Sequence, residues 1–347
     1  MAEITIKDIA KECGVGVSTV SRALNNHPDI NPETKAKILA VMERSNFVPN
    51  NSARNLKRTD AKCIAVLVKG IANPFFNEMI KIIEEETQKK NYSMVLTHVD
   101  YFEDEIDVAL ALEKERRLRG IIFLGGYFSH ADEKIEKLQV PYIFATIGNT
   151  VSQKINKTQY SSIAVDDRKE SYRMTSYLIN QGHENIAILT AESEVRSIGQ
   201  LRLQGYKQAL ADKGIGVNDK LICRVEDNIE HYSMKNGYVT TKKLLQGKEE
   251  FTAIYATSDA LAVGACRALH EAGYRVPEDI SVAGFDGIEM GQYYTPRLTT
   301  ISQPVDEMAL ATAKLLFDIV EGKRGHEHIL FEAELIEGES TAAVKKE

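Results

Sequence analysis

Residues 4–26 read ITIKDIAKECGVGVSTVSRALNN, and this stretch decides how the first sixty residues fold. From Thr5 to Cys13 the apolar residues Ile6, Ile9, Ala10 and Cys13 recur at the i, i+3, i+4, i+7 spacing of one helical face, with Thr5 as N-cap and Asp8 three residues on. Gly14-Val15-Gly16 interrupts that helix. A second periodic segment sets Val20 and Leu24 one turn apart and leaves Ser18, Thr19, Ser21, Arg22 and Asn25 on a polar face. A third helix is predicted from Asn31 as N-cap and Pro32 as first helical residue, through Ile38, Val41 and Met42, to a stop at Pro49. Three helices, the first two joined by a glycine turn, make a helix-turn-helix domain. An exposed helix start with hydroxyls and an Arg suits the DNA major groove, where Arg reads guanine and Ser or Thr reads either edge.

Charge supports the division. The 347 residues carry 43 Lys+Arg and 50 Asp+Glu, a net of -7, but the segment through Lys62 holds ten basic and seven acidic residues. A small basic part is thus joined to a large acidic body, an asymmetry that points to a DNA-facing end. With 43% hydrophobic residues and no apolar run approaching the ~18 residues of a membrane helix, the composition is that of a globular chain. The opening MAEITIKDIA lacks a positive stretch followed by an apolar core, so a cytoplasmic protein is expected. Cys13, Cys63, Cys223 and Cys266 form no C-x-x-C pair and read as reduced core thiols.

The stretches ITIKDIAKECGVGVSTVSRALNN (4–26), INPETKAKILAVMERSNFVPN (30–50) and NSARNLK (51–57) together resemble the headpiece of the lactose/galactose repressor (LacI/GalR) family. The resemblance implies that Val17 and Ser18 choose the operator sequence and that Arg22 adds a base contact. It further implies that Thr19, Ser21, Asn25, Asn31, Thr34 and Lys35 hold phosphates, that Thr5 and Asn50 also belong to the DNA-binding set, and that residues 50–56 form a hinge helix. In that helix Ala53 and Leu56 face the minor groove and Leu56 wedges a central base step. The segment from Ser52 to Arg58 has too few apolar side chains to stay helical alone, in keeping with folding on DNA. One departure is Gly16, where most members carry Ser at the entrance of the second helix; Gly gives up a hydroxyl for phosphate.

Beyond Lys62 short apolar runs alternate with helical stretches: Ile64–Val68, Ser93–Leu96, Gly120–Leu124, Pro141–Phe144, then Asn185–Leu189, Ala253–Ala256 and Ile280–Phe285. Continuous apolar strands belong in parallel sheets covered on both faces, so two α/β lobes are expected. Helices read clearly at Glu78–Lys89 and Asp306–Val320. Ligands of open α/β sheets bind beyond the carboxyl ends of the strands, and the residues there are polar and aromatic. They include Asn73 and Phe75, Gly125-Gly126-Tyr127, Thr190–Ser193, Thr257-Ser258-Asp259 and Asp286. Such a set suits a flat or ring-shaped polar ligand, although Ser258, Asp259 and Asp286 each read equally well as helix starts.

The family resemblance continues through NPFF, RGIIFLGG, VDDRKES, GHENIAIL, RLQGYKQAL, TSDALAVGA, VPEDISVAGFDG and LTTISQP, spanning roughly residues 4–340. It implies a periplasmic-binding-protein-like pair of α/β lobes crossed by strands near Ile163, Pro296 and Gly325. The implied organisation is a headpiece at 1–49, a hinge at 50–61, an effector-binding and dimerisation core at 62–340 and a tail at 341–347. Within the core, lobe 1 takes about 62–162 plus 296–324, and lobe 2 about 163–295 plus 325–340. The implied effector pocket holds Asn73, Phe75, Tyr127, Thr146, Arg202, Tyr232, Ser258 and Asp286. Arg202 would clamp a carboxylate or hydroxyl pair and Asp286 would accept sugar hydroxyls. Thr146 stands where many relatives have Asp, which removes a charged acceptor. The stretch Ile288–Gln292 lacks the basic residues with which catabolite-control members grip a phosphocarrier protein, so that partner is not predicted.

The expected function is therefore a ligand-responsive repressor, not an enzyme, that binds a palindromic operator as a homodimer and answers to a sugar-like effector, without cofactor or metal. A purine-responsive corepressed regulator and a solute-binding protein are the alternatives. Gly14–Thr19 only superficially matches G-x-G-x-x-G, because Thr19 replaces the last Gly and no strand precedes it. No phosphate loop, H-E-x-x-H or G-x-S-x-G occurs. His326 and His328 lack a third metal ligand and read as a solvated pair. The tail has no apolar heptads, which argues against a tetramer.

Overall fold

The computed structural model describes residues 5–24, 29–45, 62–100, 102–126, 132–148, 158–191 and 197–344. The chain divides into two compact units, residues 1–61 and 62–347. In the first, α1 (Ile6–Cys13), α2 (Val17–Leu24) and α3 (Pro32–Arg44) follow the periodicity of the sequence. Thr5 donates its N–H (2.8 Å) and hydroxyl (2.6 Å) to the Asp8 carboxylate, fixing the start of α1. Gly14 ends it at φ 68°, a left-handed conformation that Gly reaches without steric cost. Asn31 Oδ1 accepts from the backbone N–H of Glu33 (2.8 Å) and Thr34 (3.3 Å), capping α3. Ile9, Val20 and Ile38 are fully buried in a small core shared by all three helices. Lys37 Nζ donates to the Cys13 carbonyl at 3.0 Å, so α3 holds down the end of α1.

The second unit has two lobes built on the same plan. The first sheet uses β1 (Cys63–Lys69), β2 (Ser93–Val99), β3 (Leu118–Leu124), β4 (Tyr142–Ala145), β5 (Ser161–Val165) and β11 (His328–Phe331), in the spatial order β11-β5-β4-β3-β1-β2 and all parallel. The second uses β6 (Ile186–Thr190), β7 (Ile222–Arg224), β8 (Ala253–Ala256), β9 (Ser281–Asp286), β10 (Thr299–Ser302) and β12 (Glu334–Ile336), in the order β12-β10-β9-β8-β6-β7, with only β12 antiparallel. The central strands β1, β3 and β6 are buried on both faces, which is why their sequences are continuously apolar rather than alternating.

Helices α4 (Phe75–Lys89), α5 (Glu105–Glu115), α6 (Asp132–Ile135) and α12 (Val305–Val320) cover the first sheet. Helix α12 lies so close to β3 that a Cβ on Gly120 would stand 2.8 Å from Leu316. The second lobe carries α7 (Asp167–Asn180), α8 (Ile198–Asp212), α9 (Met234–Gln246), α10 (Asp259–Glu271) and the short α11 (Glu289–Tyr293). One apolar cluster runs from Ile64 and Val66 of the first lobe through Met174 and Tyr206 to Phe285 of the second, so the lobes share a core. Each fully buried large aliphatic side chain in it contributes about 1.5–3 kcal/mol.

The sheets place the lobe crossings slightly later than the sequence suggested. Ser161–Val165 and His328–Phe331 pair in the first sheet and Thr299–Ser302 in the second, so the chain changes lobe after 165, 302 and 331 rather than near 163, 296 and 325.

Candidate functional site

In the parallel lobes the carboxyl ends of the strands face a common cleft, where open α/β sheets bind ligands. Lys69 ends β1 and Asn73 follows it, Gly125 and Gly126 follow β3, and Thr146 follows β4; from the other side come Ala191 after β6, Asp286 at the end of β9 and Gln303 after β10. Together with Phe75, Phe76, Ser197, Ile198, Arg202, Glu230, His231 and Tyr232 they line a cavity of about 80 Å³.

Asp286 is the hub. Its Oδ2 accepts from Asn73 Nδ2 of the first lobe at 2.9 Å, its Oδ1 accepts from Gln303 Nε2 at 2.8 Å, and Arg202 Nη1 lies 3.6 Å from Oδ1. Arg202 in turn donates from Nε to Asp167 Oδ1 at 2.9 Å and from Nη1 to the Thr257 carbonyl, while its guanidinium lies 3.6 Å over the Phe285 ring. Burial pushes the Asp286 carboxyl upward, against the pull of Arg202, Asn73 and Gln303. Burial likewise raises Asp167 to about 6, with Arg202 opposing. Burial works against the Arg202 charge too, yet Asp167 and Asp286 hold it above its ordinary range.

Behind the hub, Asp259 Oδ2 accepts from Gly287 N (2.7 Å) and Ile288 N (2.8 Å), and Oδ1 from Thr300 Oγ1 (2.6 Å). It thereby fixes the turn that presents Asp286. Burial, reinforced by the Asp286 charge, lifts the Asp259 carboxyl to about 8, against these three donors.

Backbone strain collects here. Of the three non-glycine residues with positive φ among the described residues, Thr146 (70°) and Asp286 (114°) line the cleft. A β-branched residue at such a φ costs on the order of 1–3 kcal/mol, and strain of this kind clusters at ligand sites. The Thr146 hydroxyl accepts from Gly125 N at 3.2 Å. Phe75 and Phe76, edge to face with centroids 5.7 Å apart, start α4, and Phe75 N donates to Asn73 Oδ1 at 3.2 Å.

Asn73, Phe75, Thr146, Arg202, Tyr232 and Asp286 thus lie together along one cavity. Ser258 does not: it is fully buried and its Oγ accepts from Leu261 N at 3.2 Å, so it caps α10 and lies outside the cavity lining. Tyr127 lies outside the described residues. Phe76, which follows Phe75 after the first strand, joins the lining residues, and sequence reasoning missed Lys69, Glu230, His231 and Gln303. The strand-end rule that found Asp286 would have found Lys69 and Gln303.

On the headpiece, Val17 and Ser18 are exposed in the first turn of α2, with Arg22 one turn on; Thr19 and Ser21 are half-buried. Arg22 meets Asp29 at 3.5 Å, an exposed pair that exchange with a phosphate or base replaces at little cost. Thr5 and Asn31 are the N-caps of α1 and α3, and Thr34 and Lys35 stand half-buried in the first turn of α3. The N-terminal ends of α1 and α3 are thus capped by side chains of their own, Asp8 at Thr5 and Asn31 at Glu33 and Thr34. Asn25, Asn50, Ala53 and Leu56 lie outside the described residues.

A family profile for bacterial regulatory proteins of the lacI family matches residues 5–50, and one for a periplasmic binding protein-like domain matches 175–341. The HTH-type transcriptional regulator MalR of Clostridium butyricum is 40% identical over 341 residues, covering 97% of this chain and 99% of that protein. The chain belongs to the LacI family of bacterial transcriptional regulators. A LacI-family member pairs a DNA-binding domain with an effector-binding domain and is a regulator rather than an enzyme. DegA of Bacillus subtilis, 31% identical over 97% of this chain and 98% of its own, is a further relative. Among solved structures, a LacI-family regulator from Enterococcus faecium with bound ribose is 30% identical at TM-score 0.69, covering 82% of this chain and 100% of that one. A CelR–cellobiose complex is 25% identical at TM-score 0.69, over 97% and 99%. Among the described residues no helix is long and apolar enough to cross a membrane, and no cluster of three or more His, Cys, Asp or Glu is placed to hold a metal.

Proposed function

We propose that this LacI-family regulator is a repressor that binds a palindromic operator as a homodimer and is switched by a small sugar-like effector in the cleft. The observation that carries the reading is the Asp286 hub, whose carboxylate receives Asn73 from one lobe and Gln303 and Arg202 from the other side. A ligand with adjacent hydroxyls can accept from Asn73 and Arg202 while donating to Asp286, so its binding necessarily alters the contact between lobes. The Phe75 and Phe76 rings offer an apolar face to a sugar ring. Relatives crystallised with ribose and with cellobiose support the ligand class.

On DNA, Val17 and Ser18 read bases with Arg22. Thr5, Thr19, Ser21, Asn25, Asn31, Thr34 and Lys35 hold phosphates, and Asn50, Ala53 and Leu56 engage the minor groove. Two-fold symmetry of the dimer matches the operator. Effector and operator are then linked by a coupling free energy of about 1–3 kcal/mol, equal in both directions.

The test combines calorimetry with gel shifts. A sugar is expected to bind and to change operator affinity by roughly 5–150-fold, and Arg202→Ala to abolish that binding. Exchange of Val17 and Ser18 is expected to change the preferred operator in a site-selection experiment. An effector response that survives Arg202→Ala removes the hub from the switch.

A further inference from the structure

We propose that the buried Lys69–Glu105 ion pair is the determinant in the first lobe that admits an electrically neutral polyhydroxylated effector and turns away an anionic one. The inference rests on the cleft reading above. Lys69 lines the cavity at the end of β1, and its Nζ lies 3.1 Å from Glu105 Oε2 while also donating to the Glu103 carbonyl. The two side chains keep only 8% and 3% of their exposure, so this is an ion pair taken out of water. Glu105 reaches the cleft wall because Gly126 has no side chain: a Cβ there would stand 2.3 Å from Oε1. The opposite wall repeats the device, with Arg202 matched by Asp167 at 2.9 Å and by Asp286 at 3.6 Å.

Among the described residues, Lys69 and Arg202, the buried cations of the cleft, are therefore each already matched by a carboxylate. Among the described residues at or directly behind the lining, Lys69 and Arg202 stand against Glu105, Asp167, Asp286 and Glu230. Burial pushes His231 downward from its ordinary range, away from adding positive charge. An anion entering this cleft meets a surplus of carboxylates and must displace one to reach a cation. A hydroxyl both donates and accepts, so it joins such pairs without leaving an ion uncovered.

The experiment uses the full chain and calorimetry with D-glucose, maltose, cellobiose and ribose, against glucuronate and glucose 6-phosphate, with hypoxanthine and guanine as a third group. Binding confined to the neutral sugars is expected. Binding of glucuronate or glucose 6-phosphate as tight as any neutral sugar overturns this inference and leaves the sugar reading of the cleft intact. Binding of purines alone, or of none of the probes, overturns both. In the bound pair, Lys69→Met is expected to weaken the neutral sugar roughly tenfold or more. Glu105→Gln, which uncovers the ammonium, is expected to bring in glucuronate or glucose 6-phosphate. Because either single change leaves a buried charge unmatched, the double variant Lys69→Met/Glu105→Leu, which removes both, is melted by circular dichroism as the folded control. A folded double variant that keeps the parent affinity for the neutral sugar also overturns the assignment.

Discussion

Gly16 is an N-cap without a side chain. Its carbonyl accepts from Thr19 N at 2.9 Å and Val20 N at 3.2 Å, so α2 begins there. Its φ lies outside the left-handed range, and a Cβ would meet only Ser18 Oγ at 3.5 Å and Thr19 Oγ1 at 3.8 Å, which is ordinary contact. Gly16→Ser therefore fits without rearrangement and supplies the cap oxygen that Gly lacks, a gain of a few tenths of a kcal/mol in headpiece stability. The same hydroxyl stands at an anion-binding helix start, so operator affinity is expected to rise about two- to fivefold, a fraction of the energy of one charge-assisted hydrogen bond. A phosphate contact carries no sequence information. Gel-shift titrations should accordingly show the same gain on an operator and on a scrambled duplex, and a gain confined to the operator would mean that residue 16 reads bases.

At the level of elements, α9 and α10 cross where neither has room for a side chain. A Cβ on Gly264 would stand 2.0 Å from the Met234 carbonyl oxygen and 2.6 Å from Tyr238 N, both backbone atoms that cannot swing aside. Gly264→Ala must push the helices apart and is expected to cost about 1–3 kcal/mol, read as a lower urea midpoint with unchanged slope. An unchanged midpoint would contradict this packing. Elements whose signal is local were legible in the sequence: the capped amphipathic helices of the headpiece and the apolar strands read at Ile64–Val68, Gly120–Leu124 and Ile280–Phe285. Strands β5, β10 and β11 were harder, because SSIAV, TTIS and HILF are short and their lobe depends on which distant strand they pair with. The Lys69–Glu105 pair was invisible for the same reason. Alone, Lys69 looks like a solvated strand end and Glu105 like an acidic first-turn residue; only their meeting across 36 positions makes a buried pair. Ser258 illustrates the converse, a strand-end residue whose local capping role uses its hydroxyl.

For the whole molecule, the question is how a ligand enters. The cavity of about 80 Å³ is small beside the roughly 300 Å³ or more typical of small-molecule sites, so a sugar needs the lobes to part. They remain joined through three crossings, after residues 165, 302 and 331, which permit rotation but not separation. Across the cleft, Asn73 Nδ2 to Asp286 Oδ2 at 2.9 Å is a buried hydrogen bond to a carboxylate, and His98 Nε2 to Glu230 Oε1 at 3.7 Å is a solvent-exposed contact. The first holds the closed form more firmly, since a bond to a charged partner is worth about 1.5–3 kcal/mol when buried and an exposed pair much less. Asn73→Ala is thus expected to shift the open–closed equilibrium about 10- to 150-fold toward open. Small-angle scattering of the full chain without ligand should then show a larger radius of gyration than the parent. Linkage carries the same shift to the operator, because any ligand that prefers one lobe arrangement feels the changed population. An unchanged radius together with unchanged effector affinity would show that closure does not turn on this bond, and would leave the shared core around Phe285 as what holds the lobes.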